Sequence, residues 1–237
     1  MIAQSQNKAL LYVAERAAVK PDWRFFAEYC RLREEGLRKK SFEKLSLFLQ
    51  DYQDFSFAQK KEFANFIFDL AENIEDADYG PLPHQLQLEL KNTLVTWTEK
   101  ETKNTNPFRW LGKFFRKYEF VEKALEINSS DDKARVFLIE RIIYDTICHS
   151  THHLPDYYIG DPKDDLESAD LAESYIEKLT DISTKEFWLS ELDASLKLVK
   201  SYINWVESNS NLDFKTWGEA NNRHFDSGIK AYYYDEE

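Results

Sequence analysis

Residues 106–135 read NPFRWLGKFFRKYEFVEKALEINSSDDKAR, and the spacing of their apolar side chains decides what kind of fold the chain builds. Trp110, Leu111, Phe114, Phe115, Tyr118, Val121, Ala124 and Leu125 recur at threes and fours, the period of one face of an α-helix and not the two-residue alternation of a strand. Pro107 stands at a first helical position, which tolerates a residue without an N–H. Asn128-Ser129-Ser130 then turns the chain. Asp131 or Asp132 offers the carboxylate that caps a following helix through Ala134, Phe137, Leu138, Ile142, Ile143 and Ile147. The stretch predicts a helical hairpin.

Outward from that hairpin the same period recurs. Ser5 to Val19 carries Leu10, Leu11, Val13, Ala14 and Ala17 and stops at Lys20-Pro21. Asp22 is placed to cap a second helix through Phe25, Phe26, Tyr29 and Leu32, and Gly36 stands where a left-handed residue ends one. A third helix begins near Ser41, with Phe42, Leu45, Phe48, Leu49 and Tyr52 on its stripe. Ser56-Phe57-Ala58-Gln59 reads as a capping box for a fourth through Phe63, Phe66, Ile67 and Leu70. EDADYGPLP, residues 75–83, breaks the pattern before a fifth helix from His84 to Lys100. On the other side, Gly160-Asp161-Pro162 opens a helix through Leu166, Leu171, Tyr175 and Leu179. Ser183-Thr184 opens a long one through Trp188, Leu192, Leu196, Val199 and Val206, and Asp213 a short one holding Phe214 and Trp217. The expected class is all-α: nine or ten helices joined by short polar loops as antiparallel hairpins, in one domain over residues 1–237 with composition breaks near 74–83 and 101–107.

Composition points the same way. Six Gly and six Pro in 237 residues are too few for a sandwich or barrel, whose turns recur about every 8–12 residues. A content of 43% hydrophobic and 15% aromatic residues supplies a core. No apolar stretch approaches the ~20 residues of a membrane span. The N-terminus lacks the basic start and the small-residue cleavage site of a secretory signal. Two cysteines, Cys30 and Cys148, make no disulfide framework, so the expected compartment is the reducing cytoplasm.

Charge is divided unevenly. Residues 1–130 hold 20 Lys+Arg against 20 Asp+Glu, whereas residues 131–237 hold 11 against 23, so the whole net charge of -12 falls in the second part. Such a field repels nucleic acid and attracts a basic protein partner. The basic run Arg31, Arg33, Arg38, Lys39, Lys40 and Lys44 is interleaved with Glu28, Glu34, Glu35 and Glu43, which makes it a solvated face and not a phosphate-binding one.

The quoted stretch resembles the boundary between tetratricopeptide-type repeats: Trp110-Leu111-Gly112 on one helix, then Ala124, Leu125, Asn128, Asp131 and Ala134 leading into the next pair. The interval from Trp110 to Ala124 is shorter than such a repeat uses, and Ser129 stands where its helix-ending proline falls. Hairpin starts at 22, 56, 107 and 161 are spaced by 34, 51 and 54, of which the first equals the ~34-residue period. The chain thus looks like a degenerate relative. It is also similar to a group of bacterial proteins sharing the W-L-G and H-H-L-P stretches, here residues 110–112 and 152–155. The resemblance implies stacked hairpins as an α-α superhelix whose concave surface binds proteins or peptides; it implies no catalysis.

Residues 148–155, CHSTHHLP, raise a chemical alternative. On a helix, Asp145, His149, His152 and His153 share a face, and three imidazoles with a carboxylate suit Zn or Fe, so a small metal-dependent enzyme is the competing reading. Leu154-Pro155 ends the helix there, however, and imidazoles in a last turn serve the unpaired carbonyls without a metal. The isolated Cys30, His84 and His224 provide no second ligand cluster. Nucleotide loops, nucleophile elbows and the calcium-loop spacing are absent from the sequence, and Arg141 and His149 lie too far apart for an R-x4-6-H ribonuclease motif, so no cofactor is expected. The acidic runs Asp161-Asp164-Asp165 and Glu75-Asp76-Asp78 read as caps and loops.

The aromatic stripes are core by their periodicity, but Tyr157 and Tyr158 fall in a loop outside any stripe, where exposed tyrosines serve as interface anchors. With Asp161, Asp164, Asp165 and Glu167 beside them, they form the candidate binding surface. The expected function is a scaffold for protein binding, in its sharpest form an acidic inhibitor or immunity protein for a basic bacterial toxin.

Overall fold

The signals that start and stop helices account for most of the boundaries. Ser56 and Gln59 form the reciprocal capping box, with Gln59 N–H donating to Ser56 Oγ at 3.3 Å and Ser56 N–H to Gln59 Oε1 at 3.0 Å. Asp131, Asp161 and Asp213 each accept a backbone N–H from the first turn of the helix they precede. Gly36, at φ 75°, ends its helix with Leu37 N–H bonded back to Leu32 O at 2.8 Å.

The computed structural model describes residues 2–73 and 82–223, apart from the side chains of residues 2–8 and 73. Glu75, Asp76, Asp78, His224 and the terminal YYYDEE lie outside the described residues. The protein is all-α, with no strand among the described residues. α1 spans Ile2–Ala17; a 3-10 turn, Pro21–Trp23, leads into α2, Arg24–Glu34. Then come α3, Arg38–Asp54; α4, Phe57–Asn73; α5, His84–Lys100; α6, Thr105–Phe115; and α7, Tyr118–Ile127. α8, Asp132–Glu140, winds on without a break through a π-helix, Arg141–Cys148, into α9, His149–Thr151. α10, Pro162–Ile176, α11, Ile182–Glu207, and α12, Phe214–Ala220, follow.

Four local expectations are corrected. The single helix expected from Trp110 to Leu125 is two, because Arg116 takes the left-handed conformation at φ 54° and stops α6, although the apolar period runs straight across the break. Pro107 is not the first helical residue; α6 opens two residues earlier, where the Asn104 side chain accepts from Asn106 N–H. Asp22 sits inside the 3-10 turn and accepts from Gln59 Nε2 at 3.2 Å instead of capping α2. Asp181, ahead of Ser183-Thr184, is the cap of α11.

The chain forms two compact units, residues 1–120 and 121–237, divided within α7. In the first, helices reverse over short connections. Phe48 and Phe63, equally far from the Phe55-Ser56 turn, meet at 4.7 Å, and Tyr29 meets Phe42 across the α2–α3 turn at 6.1 Å, as antiparallel hairpins require. The core between them is aromatic, with Phe26, Phe48, Tyr52 and Phe63 fully buried and in mutual edge or tilted contact. Phe68 stacks on Trp110, and Trp97 meets Trp110 edge-on, closing the far end of that core.

In the second unit, α10 packs against α8, the π-helix and α11 through Ile139, Ile143, Ile147, Ala169, Ala172, Ile176, Trp188, Leu192 and Val199. The π-helix follows from the sequence. Arg135, Ile139, Ile143, Ile147 and Thr151 are all buried and all four apart. On an α-helix, at about 100° per residue, each such step drifts by about 40°, so the inward stripe would rotate away from α10 and α11. The wider i→i+5 winding takes up that drift and holds the row inward. A smaller cluster of Leu154, Phe214 and Trp217 docks α12, secured by Trp205 Nε1–H donating to Leu212 O at 2.9 Å.

Candidate functional site

Residues 152–161 connect α9 to α10 and are flanked by most of the residues the sequence marks for recognition or metal binding. A column of rings begins the connection: His149 and His152 stack at 5.0 Å, His152 and His153 meet at 3.8 Å, and His153 stacks on Tyr157 at 4.6 Å. Rings so arranged present faces to one another, not nitrogen lone pairs to a common point. His152 Nδ1–H donates to the His149 carbonyl, the bond an imidazole makes at a helix C-terminus. Among the described residues no group of three or more His, Cys, Asp or Glu is arranged to hold a metal ion; Asp145 and the three histidines therefore do not converge.

The two tyrosines separate. Tyr157 is 53% exposed. Tyr158 turns inward, stacks on Tyr202 at 4.7 Å and donates its phenolic proton to Asp165 Oδ2. Burial, then the hydrogen bond to Asp165 and its charge, push the Tyr158 phenol far above the usual tyrosine range. Asp165 itself is 2% exposed on the inner face of α10. The expectation that Tyr158 and Asp165 lie at an exposed rim is corrected: Ala169, Ala172 and Ile176 continue the inward stripe on which Asp165 falls, and a buried carboxyl needs a donor, which the phenol supplies. Asp161 is the N-cap of α10, accepting from Lys163 N–H at 2.9 Å, while Asp164 and Glu167 are exposed.

Sequence reasoning missed the rest of that exposed face. Asp164, Glu167, Asp170, Glu173 and Glu177, three or four apart, line the outer side of α10 and its last turn, and none forms an ion pair with a described residue. Leu171, 49% exposed, stands among them, one turn beyond Glu167. The signal was available: a carboxylate at every turn, with a leucine off the inward stripe. Two other carboxylates of this unit are held instead within the fold. Asp132 pairs with Arg135 and accepts from Thr180 N–H at 2.9 Å, and Asp181 is held at about 2 by the Ser183 hydroxyl and the Thr184 N–H and hydroxyl.

Both cysteines are free. Cys30 is fully enclosed, and burial pushes its thiol up to about 12, which leaves it unreactive. Cys148 lies 3.4 Å from Ser195 Oγ. No protein-family model, no curated protein and no solved structure matches the chain. The class defined by the structure is that of an all-α protein, and none of its described helices is long and apolar enough to cross a membrane.

Proposed function

We propose that the chain is a helical scaffold for protein binding whose second unit engages a basic protein, acting in the cytoplasm as an inhibitor or immunity protein against a basic toxin. The observation that carries this reading is the outer face of α10, where five carboxylates without ion-pair partners among the described residues surround an exposed leucine. Carboxylates left unpaired on one helix face attract a basic surface and steer its approach, and an apolar residue in their midst gives the docked partner something to bury. The excess of acidic residues over 131–237 extends the same attraction over the whole unit.

The test compares the wild-type chain with a variant in which Asp164, Glu167, Asp170, Glu173 and Glu177 become the corresponding amides. Both are immobilised and exposed to extract of the source cells, and the captured proteins are identified. A basic protein held by the wild type, lost from the variant, and bound less tightly as salt rises from about 50 to 500 mM supports the reading. Over that range the Debye length shrinks from roughly 14 to 4 Å. An acidic partner, or an affinity indifferent to salt, sinks it.

A further inference from the structure

In the first unit the chain's own cations lie over partly buried rings: Arg24 and Lys44 over Phe25 at 4.4 and 5.5 Å, Arg33 and Arg38 over Phe42, and Lys61 and Lys100 over Phe57. In the second, Tyr144 and Phe187 are 41% and 51% exposed, and no described cation lies over either ring.

These two rings are joined by a third. Tyr144 meets Trp188 at 6.0 Å with planes 58° apart, and Phe187 meets Trp188 at 5.1 Å and 77°. Trp188 is buried and belongs to the core, so it forms a fixed floor between them. The Tyr144 hydroxyl donates to Glu191 Oε2 at 2.7 Å, which leaves Oε1 without a partner among the described residues. Tyr144 is carried on the π-helix. The winding that keeps Ile143 and Ile147 inward sets Tyr144 against α11, and such local departures from α-helical winding recur at functional sites. Burial, then the bond to Glu191 and its charge, push the Tyr144 phenol up to about 12, so it stays a neutral donor at any physiological pH.

We infer that Tyr144, Phe187, Trp188 and Glu191 form a recognition site for an arginine side chain of the basic partner, an inference that rests on the partner being basic. Aromatic faces attract cations, and a carboxylate oxygen with a free lone pair beside them fixes one. Arginine fits better than lysine because its planar guanidinium can lie flat on a ring while its N–H groups reach Glu191 Oε1 at the edge; an ammonium is more strongly hydrated and offers no plane to stack. The unit's own arginines leave this place empty, and its acidic excess matches the ligand's charge.

The probes are a tetra-arginine and a tetra-lysine peptide at equal salt, with binding followed by backbone amide NMR. Tetra-arginine should shift amides of residues 140–148 and 184–195 and bind the wild type about fivefold or more tighter than tetra-lysine, the scale of one cation–aromatic contact. That preference should vanish in Tyr144→Leu and in Phe187→Ala and shrink in Glu191→Gln, which keeps an acceptor for the phenol and guards against loss of fold, checked by circular dichroism. The preference should persist in the five-amide variant of α10. Equal binding of the two peptides by the wild type, or an arginine preference untouched by Tyr144→Leu and Phe187→Ala, overturns the arginine site and leaves the basic-partner reading standing. Binding of neither peptide at low salt overturns both.

Discussion

Tyr158 and Asp165, seven residues apart, are joined by a hydrogen bond from the phenol to Oδ2, and that bond closes the α9–α10 connection over a carboxyl group of 2% exposure. The phenol is the carboxyl's only side-chain partner among the described residues. Tyr158→Phe keeps the ring and its stacking on Tyr202 but leaves a buried acceptor without its donor, a loss of about 1–3 kcal/mol. Asp165→Asn retains an acceptor and should cost less. Urea unfolding midpoints of the two variants check the order; an equal or reversed ranking contradicts the role given to this bond.

Stability should fall on the alkaline side for a stated reason. Tyr158 is raised above the ordinary tyrosine value, and Tyr29 and Tyr52 are pushed up to about 12, chiefly by burial. A phenol whose folded pKa lies above its unfolded value of about 10 contributes stability that is complete below pH ~10 and is lost as pH rises through the folded value. The urea midpoint should therefore hold from these groups' point of view between about pH 7 and 9 and drop between 10 and 12. Tyr52→Phe should make that drop shallower while costing stability at pH 7, since it also removes the bond to Thr93 Oγ1. Parallel curves for variant and wild type exclude Tyr52 as a contributor.

What the sequence made legible were the places where a side chain bonds its own backbone or a glycine relieves it. The capping box at Ser56 and Gln59, the caps at Asp131, Asp161 and Asp213, and the left-handed Gly36 are all local chemistry, settled within four residues. The break at Arg116 was illegible because it goes against local preference: an arginine takes a conformation its Cβ resists, and the apolar period offers no warning. The π-helix was legible in principle from the four-residue step of Ile139, Ile143 and Ile147, but threes and fours are easily averaged into an α-helix. Tyr158 was assigned to the surface because a loop has no period to reveal an inward residue. The carboxyl of Asp165, on the inward stripe of α10, and the ring of Tyr202 explain its direction.

Gly36 and Arg116 make a matched pair for testing that point. A Cβ added at Gly36 meets nothing within 4 Å, so Gly36→Ala should cost only the backbone penalty of a left-handed residue, about 1–2 kcal/mol. Arg116, exposed at φ 54°, already bears that penalty, and Arg116→Gly should stabilise the chain by up to about 1 kcal/mol. Thermal midpoints moving in the same direction for both substitutions run against this account.

The first unit holds a buried ion pair that should respond differently to one substitution and to two. Arg109 Nε–H and Nη2–H reach Glu72 Oε1 and Oε2 at 2.8 and 3.0 Å, with side-chain exposures of 7% and 3%, and Nη2 also donates to Asn106 Oδ1 at 3.1 Å. Removing one partner strands a charge away from water, so Glu72→Leu or Arg109→Met should each cost about 3–5 kcal/mol. The double substitution fills the space with apolar atoms and should recover most of the loss. Additive costs in the double variant contradict the pairing argument.

Kinetics distinguish the outer face of α10 from mere surface charge. Asp164, Glu167, Asp170, Glu173 and Glu177 are solvent-exposed, so they act on approach: changing them to amides should slow association with the basic partner and flatten its dependence on salt, with little effect on dissociation. Leu171 and Tyr157, 49% and 53% exposed, act after contact, because an apolar group removed from water holds the complex together without attracting it from a distance. Leu171→Ala and Tyr157→Ala should therefore speed dissociation and leave association nearly unchanged. Tyr158→Phe, inside the fold, should alter neither rate beyond its effect on stability. Stopped-flow or surface-based rates at about 50, 150 and 500 mM salt separate the three groups, and a carboxylate variant that changes only the dissociation rate puts those residues inside the interface instead of at its rim.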